Sequence, residues 1–177
     1  YGGYTEANAQ EFSRIMQKKL GWSRYGNPKY VSAVYRYLVF SSNGKWGSPF
    51  VGKDWNSRVS SDFGWRTDPL NGKKAFHEGL DIAYPTGTKI HAVSGGVVTS
   101  VVYSKTGYGH HVRVDCGNGV TVLYAHCSKI LVTKGQSIST GQAIAEVGAT
   151  GRVTGAHLHL GVLVNGKEVN PREYIGG

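Results

Sequence analysis

Residues 148–162 read GATGRVTGAHLHLGV, a turn-rich approach to an apolar run that is interrupted by two histidines one residue apart. Strand side chains alternate between faces with period two, so His157 and His159 share one side while Leu158 and Leu160 share the other. The stretch therefore predicts a half-buried β-strand with one apolar face and one face carrying ring nitrogens. Runs of the same kind flank it on the N-terminal side: KIHAVSG (89–95), GVVTSVVYS (96–104), HVRVDCG (111–117), GVTVLYAH (119–126) and AIAEVG (143–148). With 26 Gly punctuating 177 residues, this pattern predicts a mainly β fold, one antiparallel domain rather than a helical bundle.

The first 50 residues read differently. In TEANAQEFSRIMQKKL (5–20), Phe12, Ile15, Met16 and Leu20 recur at helical spacing between a capping Thr5 and a terminating Gly21. In NPKYVSAVYRYLVF (27–40), Asn27 caps, Pro28 fits the first helical position, and Tyr30, Val31, Val34, Tyr35 and Leu38 form one stripe. We expect a two-helix N-terminal extension over 1–50 whose aromatic residues pack on the main domain, with SSNGKWGSPFVGKDWNS (41–57) as its linker. The β domain is expected over 51–177. The start at Tyr1 reads as a processed or excised piece of a longer chain.

Twenty Lys and Arg against 11 Asp and Glu give a net charge of +9. Such a charge fits polyanionic surroundings without identifying them: nucleic acid, acidic cell-wall polymer and anionic membrane all agree with it. There is no basic helix, no strand platform of basic and aromatic residues and no Cys-x-x-Cys pair, so a nucleic-acid reader is not indicated. Nor is there an apolar run of transmembrane length. Cys116 and Cys127 are the only cysteines. With GNG (117–119) as a hairpin tip they fall roughly 20 Å apart at about 3.3 Å per residue. A disulfide needs Cα atoms within about 7 Å, so none is expected.

A single histidine in such a chain is ordinarily a surface or core residue, and each of the seven must be judged with its partners. HEGLDIA (77–83) sets His77 and Asp81 four apart, and Gly79 and Pro85 argue for extended structure in which equal parity puts both on one face. Combined with one histidine of the 157/159 pair, they make the His₂-carboxylate set of a catalytic zinc, its fourth position left for water. His126, at the end of a strand, would add another imidazole if it faces the same groove. A zinc hydrolase needs such further groups to take a proton and to stabilise the developing oxyanion.

Three stretches, SDFGWRTDPLNGKKAFHEGLDIA (61–83), GYGHHVRVDCGNGVTVLYAH (107–126) and GATGRVTGAHLHLGV (148–162), together closely resemble the lysostaphin-type zinc endopeptidases, which cut peptidoglycan peptides. The resemblance covers about residues 58–172. It implies an antiparallel β-sheet groove with one Zn²⁺ per chain held by His77, Asp81 and His159, and His126 and His157 as base and transition-state stabiliser. It further implies an extracellular or cell-wall-associated protein, on its own or within a phage or conjugation apparatus, acting on the stems or cross-bridges of peptidoglycan. His91, His110 and His111 depart from the family pattern and are read as surface or groove-rim residues. Arg66 matches a family position near the groove and is read either there or as a salt-bridged scaffold residue. Two alternatives are weighed: a catalytically silent wall-binding or activator module of the same fold, and a carrier-type β module suggested by TKGQSISTGQAIAEVG (133–148). The first is disfavoured by the presence of all five site residues. The second lacks the carrier lysine and leaves the histidines unexplained.

Overall fold

The computed structural model describes residues 46–176. The expected helices over 5–20 and 27–40 lie outside the described residues. Twelve strands follow one another: β1 Val59–Ser61, β2 Gly64–Thr67, β3 Lys74–His77, β4 Leu80–Ile82, β5 Lys89–His91, β6 Gly96–Val102, β7 His110–Gly117, β8 Val120–Ile130, β9 Ser137–Ile138, β10 Ala143–Val147, β11 Leu158–Val164 and β12 Lys167–Val169. All pairings are antiparallel, so the mainly β, antiparallel class holds for this region. Ten strands make one sheet whose central path runs β1-β4-β11-β8-β7-β6-β9, and β2 and β3 form a separate hairpin.

Alternation builds the core. Leu158, Leu160 and Val162 of β11 and Val120, Val122 and Tyr124 of β8 are wholly buried on one side of the sheet. The Tyr124 hydroxyl, sealed in that core, accepts a hydrogen bond from the Val93 N–H at 2.9 Å. The β7–β8 turn is a two-residue loop, Asn118-Gly119, with φ of 52° and 75°. Positive φ at both positions matches the twist of the flanking strands.

The stretch 46–50, read from sequence as linker, contributes Trp46 and Phe50 to this core at 2% and 0% exposure. It is tied in by the Gly47 N–H donating to the Val93 carbonyl and the His91 N–H donating to that of Pro49, both at 2.8 Å. Trp46 also packs against Tyr174 near the C-terminus, ring centroids 5.3 Å apart. Gly, Ser and Pro around these aromatics masked their packing role in the sequence. Cys116 and Cys127 are both buried with no disulfide between them. Burial pushes each thiol up to about 12.

Candidate active site

β4 and β11 are neighbours with His159 opposite Asp81, and opposite residues of an antiparallel pair share a face. His77 ends β3 and reaches the same point from the hairpin. The result is a three-atom cluster: His77 Nε2 lies 3.1 Å from Asp81 Oδ1 and 3.2 Å from His159 Nδ1, and His159 Nδ1 lies 2.8 Å from Asp81 Oδ1. All three residues are buried. His77 donates its Nδ1–H to the Asp62 carbonyl at 2.8 Å, which leaves Nε2 as a lone pair aimed at the cluster. Burial alone would raise the Asp81 carboxyl, but His159 and His77 hold it well below the usual carboxylate range.

This donor set fits a metal ion. Two ligands about 2.0–2.1 Å from a shared tetrahedral ion stand about 3.3 Å apart, close to the spacings found here. Two imidazole nitrogens and a carboxylate oxygen turned on one another also present more lone pairs than protons, an arrangement that a cation resolves. The β4–β11 approach depends on Gly79. A Cβ at that position would fall 2.7 Å from His159 Nε2 and 2.6 Å from the Leu160 carbonyl oxygen.

His126 arrives by a different device. Simple alternation along β8 puts it on the face of Tyr124, in the core. Instead the β7–β8 register jumps from Val112↔Tyr124 to His110↔Cys127, three residues on β8 against two on β7, so β8 carries a bulge. His126 takes the extra position at φ 62°, in the left-handed region that a non-glycine residue seldom occupies. Its ring turns to the groove and stands 4.9 Å from that of His157 and 5.9 Å from that of His159, centroid to centroid. Thr150 locks the bulge. Its carbonyl accepts the His126 Nδ1–H at 2.7 Å, and its hydroxyl donates to the Cys127 carbonyl and accepts the His110 N–H at 2.8 and 3.0 Å. Burial pushes the His126 imidazole down to about 4.

His157 precedes β11 on the face of His159. Its Nδ1–H donates to the Gly155 carbonyl at 2.9 Å and its Nε2 lies 3.7 Å from Asp81 Oδ1. Both His126 and His157 thus hold a proton at Nδ1 against a backbone carbonyl and turn Nε2 inward.

All five residues singled out from sequence, His77, Asp81, His126, His157 and His159, line one open groove of about 690 Å³. Arg66 lines it too, half-buried, and among the described residues it forms no ion pair. His91, His110 and His111 lie outside the groove lining, half-buried, with Nδ1 engaged respectively by the Val51 N–H, the Ser104 N–H and the Gly109 carbonyl. Sequence reasoning missed Tyr108, whose ring lies 5.5 Å from that of His159, and Arg152, whose Nη2 sits 3.0 and 3.2 Å from the two Asp68 oxygens across the groove rim. The signal available was slight: one aromatic between two glycines, and one cation in the turn that leads to the histidine strand.

The model of Peptidase family M23 matches residues 75–171, more than half of the chain. The DD-carboxypeptidase/endopeptidase Mpg of Neisseria meningitidis is 43% identical over 115 residues, 65% of this chain and 26% of that protein. The chain thus spans about a quarter of the length of the curated relatives it matches. Among solved structures, a zinc-containing peptidase from Vibrio cholerae is 37% identical with a TM-score of 0.59, covering 63% of this chain and 35% of its own. The catalytic domain of lysostaphin from Staphylococcus simulans is 28% identical with a TM-score of 0.58, covering 64% and 88%. Family model, relatives and buried His-Asp-His cluster agree: the chain belongs to peptidase family M23, the lysostaphin-type metallopeptidases.

Proposed function

We propose that this protein is a zinc-dependent endopeptidase that hydrolyses peptide bonds in the stems or cross-bridges of bacterial peptidoglycan, working outside the cell or at the wall. The observation that carries the reading is the convergence of His77 Nε2, His159 Nδ1 and Asp81 Oδ1 within 3.2 Å of one another at the floor of an open groove. The names of its relatives, DD-carboxypeptidase/endopeptidase and peptidoglycan DD-endopeptidase, support the substrate class.

His77, Asp81 and His159 hold the zinc, which when bound polarises a carbonyl and lowers the pKa of water. His126 acts as the base. Burial disfavours its charged form, so at neutral pH Nε2 is free to take a proton from the attacking water and then to deliver it to the leaving amine. The bond from Nδ1 to the Thr150 carbonyl holds the ring through both transfers. His157 is the transition-state stabiliser, its ring positioned by the Nδ1–H bond to the Gly155 carbonyl with Nε2 turned to the reacting groups. The +9 charge favours encounter with anionic wall polymers, an attraction that salt weakens.

The test is mass spectrometry of fragments released from purified sacculi by the zinc-loaded protein, with His157→Ala alongside. New amino termini at one peptide bond, absent with the variant, are the expected result. No release from several wall chemistries despite bound zinc overturns the reading in favour of a silent module.

A further inference from the structure

The groove's charges are paired, with one exception. Asp62 is engaged by Arg172 and Asn56 is held by the same guanidinium. Arg152 is neutralised by Asp68, which the Leu70 N–H and Arg152 together hold below the usual carboxylate range. Asp81 belongs to the metal cluster. Arg66 alone among the charged lining residues, within the described region, has neither an ion pair nor a side-chain hydrogen bond.

Its placement is fixed by the hairpin. In the β2–β3 register Gly64 stands opposite His77 and Arg66 opposite Ala75. Opposite residues share a face, and so do residues two apart on a strand, so Arg66 projects from the same side as the His77 ring. Its Cα is about 7 Å along the strand from the Gly64–His77 pair, at about 3.3 Å per residue. That offset corresponds to one or two residues of an extended peptide lying with its reacting bond at the His-Asp-His cluster. The alternate residues Trp65 and Phe76 face away and pack edge to face.

A half-buried guanidinium without a partner forgoes hydration unless a ligand brings the counter-charge, and its planar fork matches a carboxylate with two parallel hydrogen bonds. Resting on the endopeptidase reading above, we propose that Arg66 is a specificity residue that receives a free carboxylate on the peptide within two residues of the scissile bond. The enzyme therefore selects acidic stems over their amidated counterparts. The bond cut is unchanged by this contact; what changes is which peptide is held.

The test uses two synthetic D,D-linked peptides that differ only on the residue supplying the scissile amine, a free carboxylate in one and a carboxamide in the other. Cleavage by the zinc-loaded protein is followed together with calorimetric binding to the His126→Ala variant, in backgrounds with and without Arg66→Ala. A charge-assisted pair in a partly dry site predicts a preference for the carboxylate of about tenfold to a hundredfold, expressed in KM and in Kd rather than in kcat. Arg66→Ala abolishes that ratio while zinc content and Tm stay as in the parent, Arg66→Lys keeps part of it, and Arg66→Glu reverses it. Should Arg66→Ala fail to fold, Arg66→Gln gives the same comparison. Equal use of both peptides by the parent, or an undiminished preference in Arg66→Ala, overturns the proposal. If Arg66→Ala leaves the ratio intact and weakens only salt-sensitive adsorption to phosphate-bearing wall polymer, the residue serves polyanions and the proposal also fails. If neither peptide is cut and sacculi of several wall chemistries release no fragments, the endopeptidase reading fails on its own. Calorimetry then still decides Arg66: carboxylate-selective binding lost on its removal upholds the role, and no selectivity refutes it.

Discussion

Gly79→Ala tests the claim that the metal cluster is set by close packing of β4 against β11. A Cβ at residue 79 would stand 2.7 Å from both Nε2 and Cε1 of His159 and 2.6 Å from the Leu160 carbonyl oxygen. Ordinary non-bonded contacts lie near 3.5–4.0 Å, so relief requires movement of about 0.8 Å or more. The carbonyl belongs to β11, where Leu160 is paired with Leu80, and the ladder resists displacement. The imidazole is then the part that gives. Metal sites tolerate errors of about 0.2 Å in ligand position, and disturbing even the outer partners of a ligand costs about ten- to a hundredfold in affinity. We therefore expect Gly79→Ala to bind zinc at least tenfold more weakly, with an overpacking cost to stability of about 1–3 kcal/mol. Chelator competition measures the affinity and thermal unfolding the stability. The double variant with His159→Ala should lose little more affinity than His159→Ala alone, because both changes act through one ligand. Zinc affinity within about twofold of the parent in a folded Gly79→Ala protein would refute the reasoning.

Alanine at His77, Asp81 or His159 should remove bound zinc, measured by elemental analysis, whereas His126→Ala and His157→Ala should keep it and lose at least about a hundredfold in kcat; zinc lost from His157→Ala and retained in His159→Ala would exchange their roles. Thr150→Val deletes the hydroxyl that clamps the β8 bulge and should cost about 1–3 kcal/mol in urea unfolding, with a fall in kcat at unchanged zinc content. Stability should fall as pH drops through the window between about 6.5 and about 4, because His126 is held below its ordinary value and only the unfolded chain takes up its proton there. The Asp81 contribution is lost only below that window, so His126→Asn should flatten the change in Tm between about pH 7 and about pH 4.5.

Much of this site was legible because strands have a short period. The parity of His157 and His159 against Leu158 and Leu160 places the rings in the groove and the leucines in the core, as the structure bears out. The hairpin at Asn118-Gly119 and the absence of a disulfide follow from similarly local rules. The buried roles of Trp46 and Phe50 were not legible. Their ring partners, Tyr174 for Trp46 and Tyr84 for Phe50, are distant in the chain, and their Gly-, Ser- and Pro-rich setting has the composition of a linker. The rim pair Arg152–Asp68 joins residues 84 apart and has no local signature either.

His126 marks where parity itself fails. Counted from Tyr124, its side chain belongs in the core, where an imidazole would need buried partners that the apolar neighbours Val122 and Leu160 cannot supply. One inserted residue and a φ of 62° send it to the other face, and nothing in VLYAHC announces the insertion. The strain is tolerated because the clamp lies elsewhere: Thr150, from the loop that also leads to His157, satisfies the ring and the bulged backbone together. The same loop therefore fixes both non-ligand histidines, one through the Thr150 carbonyl and the other through that of Gly155. That common origin explains why their Nε2 atoms turn to the same space although the residues are 31 positions apart in the chain. It follows that the spacing of the pair is governed by residues 150–157, and that changes in this loop should alter turnover before they alter metal binding.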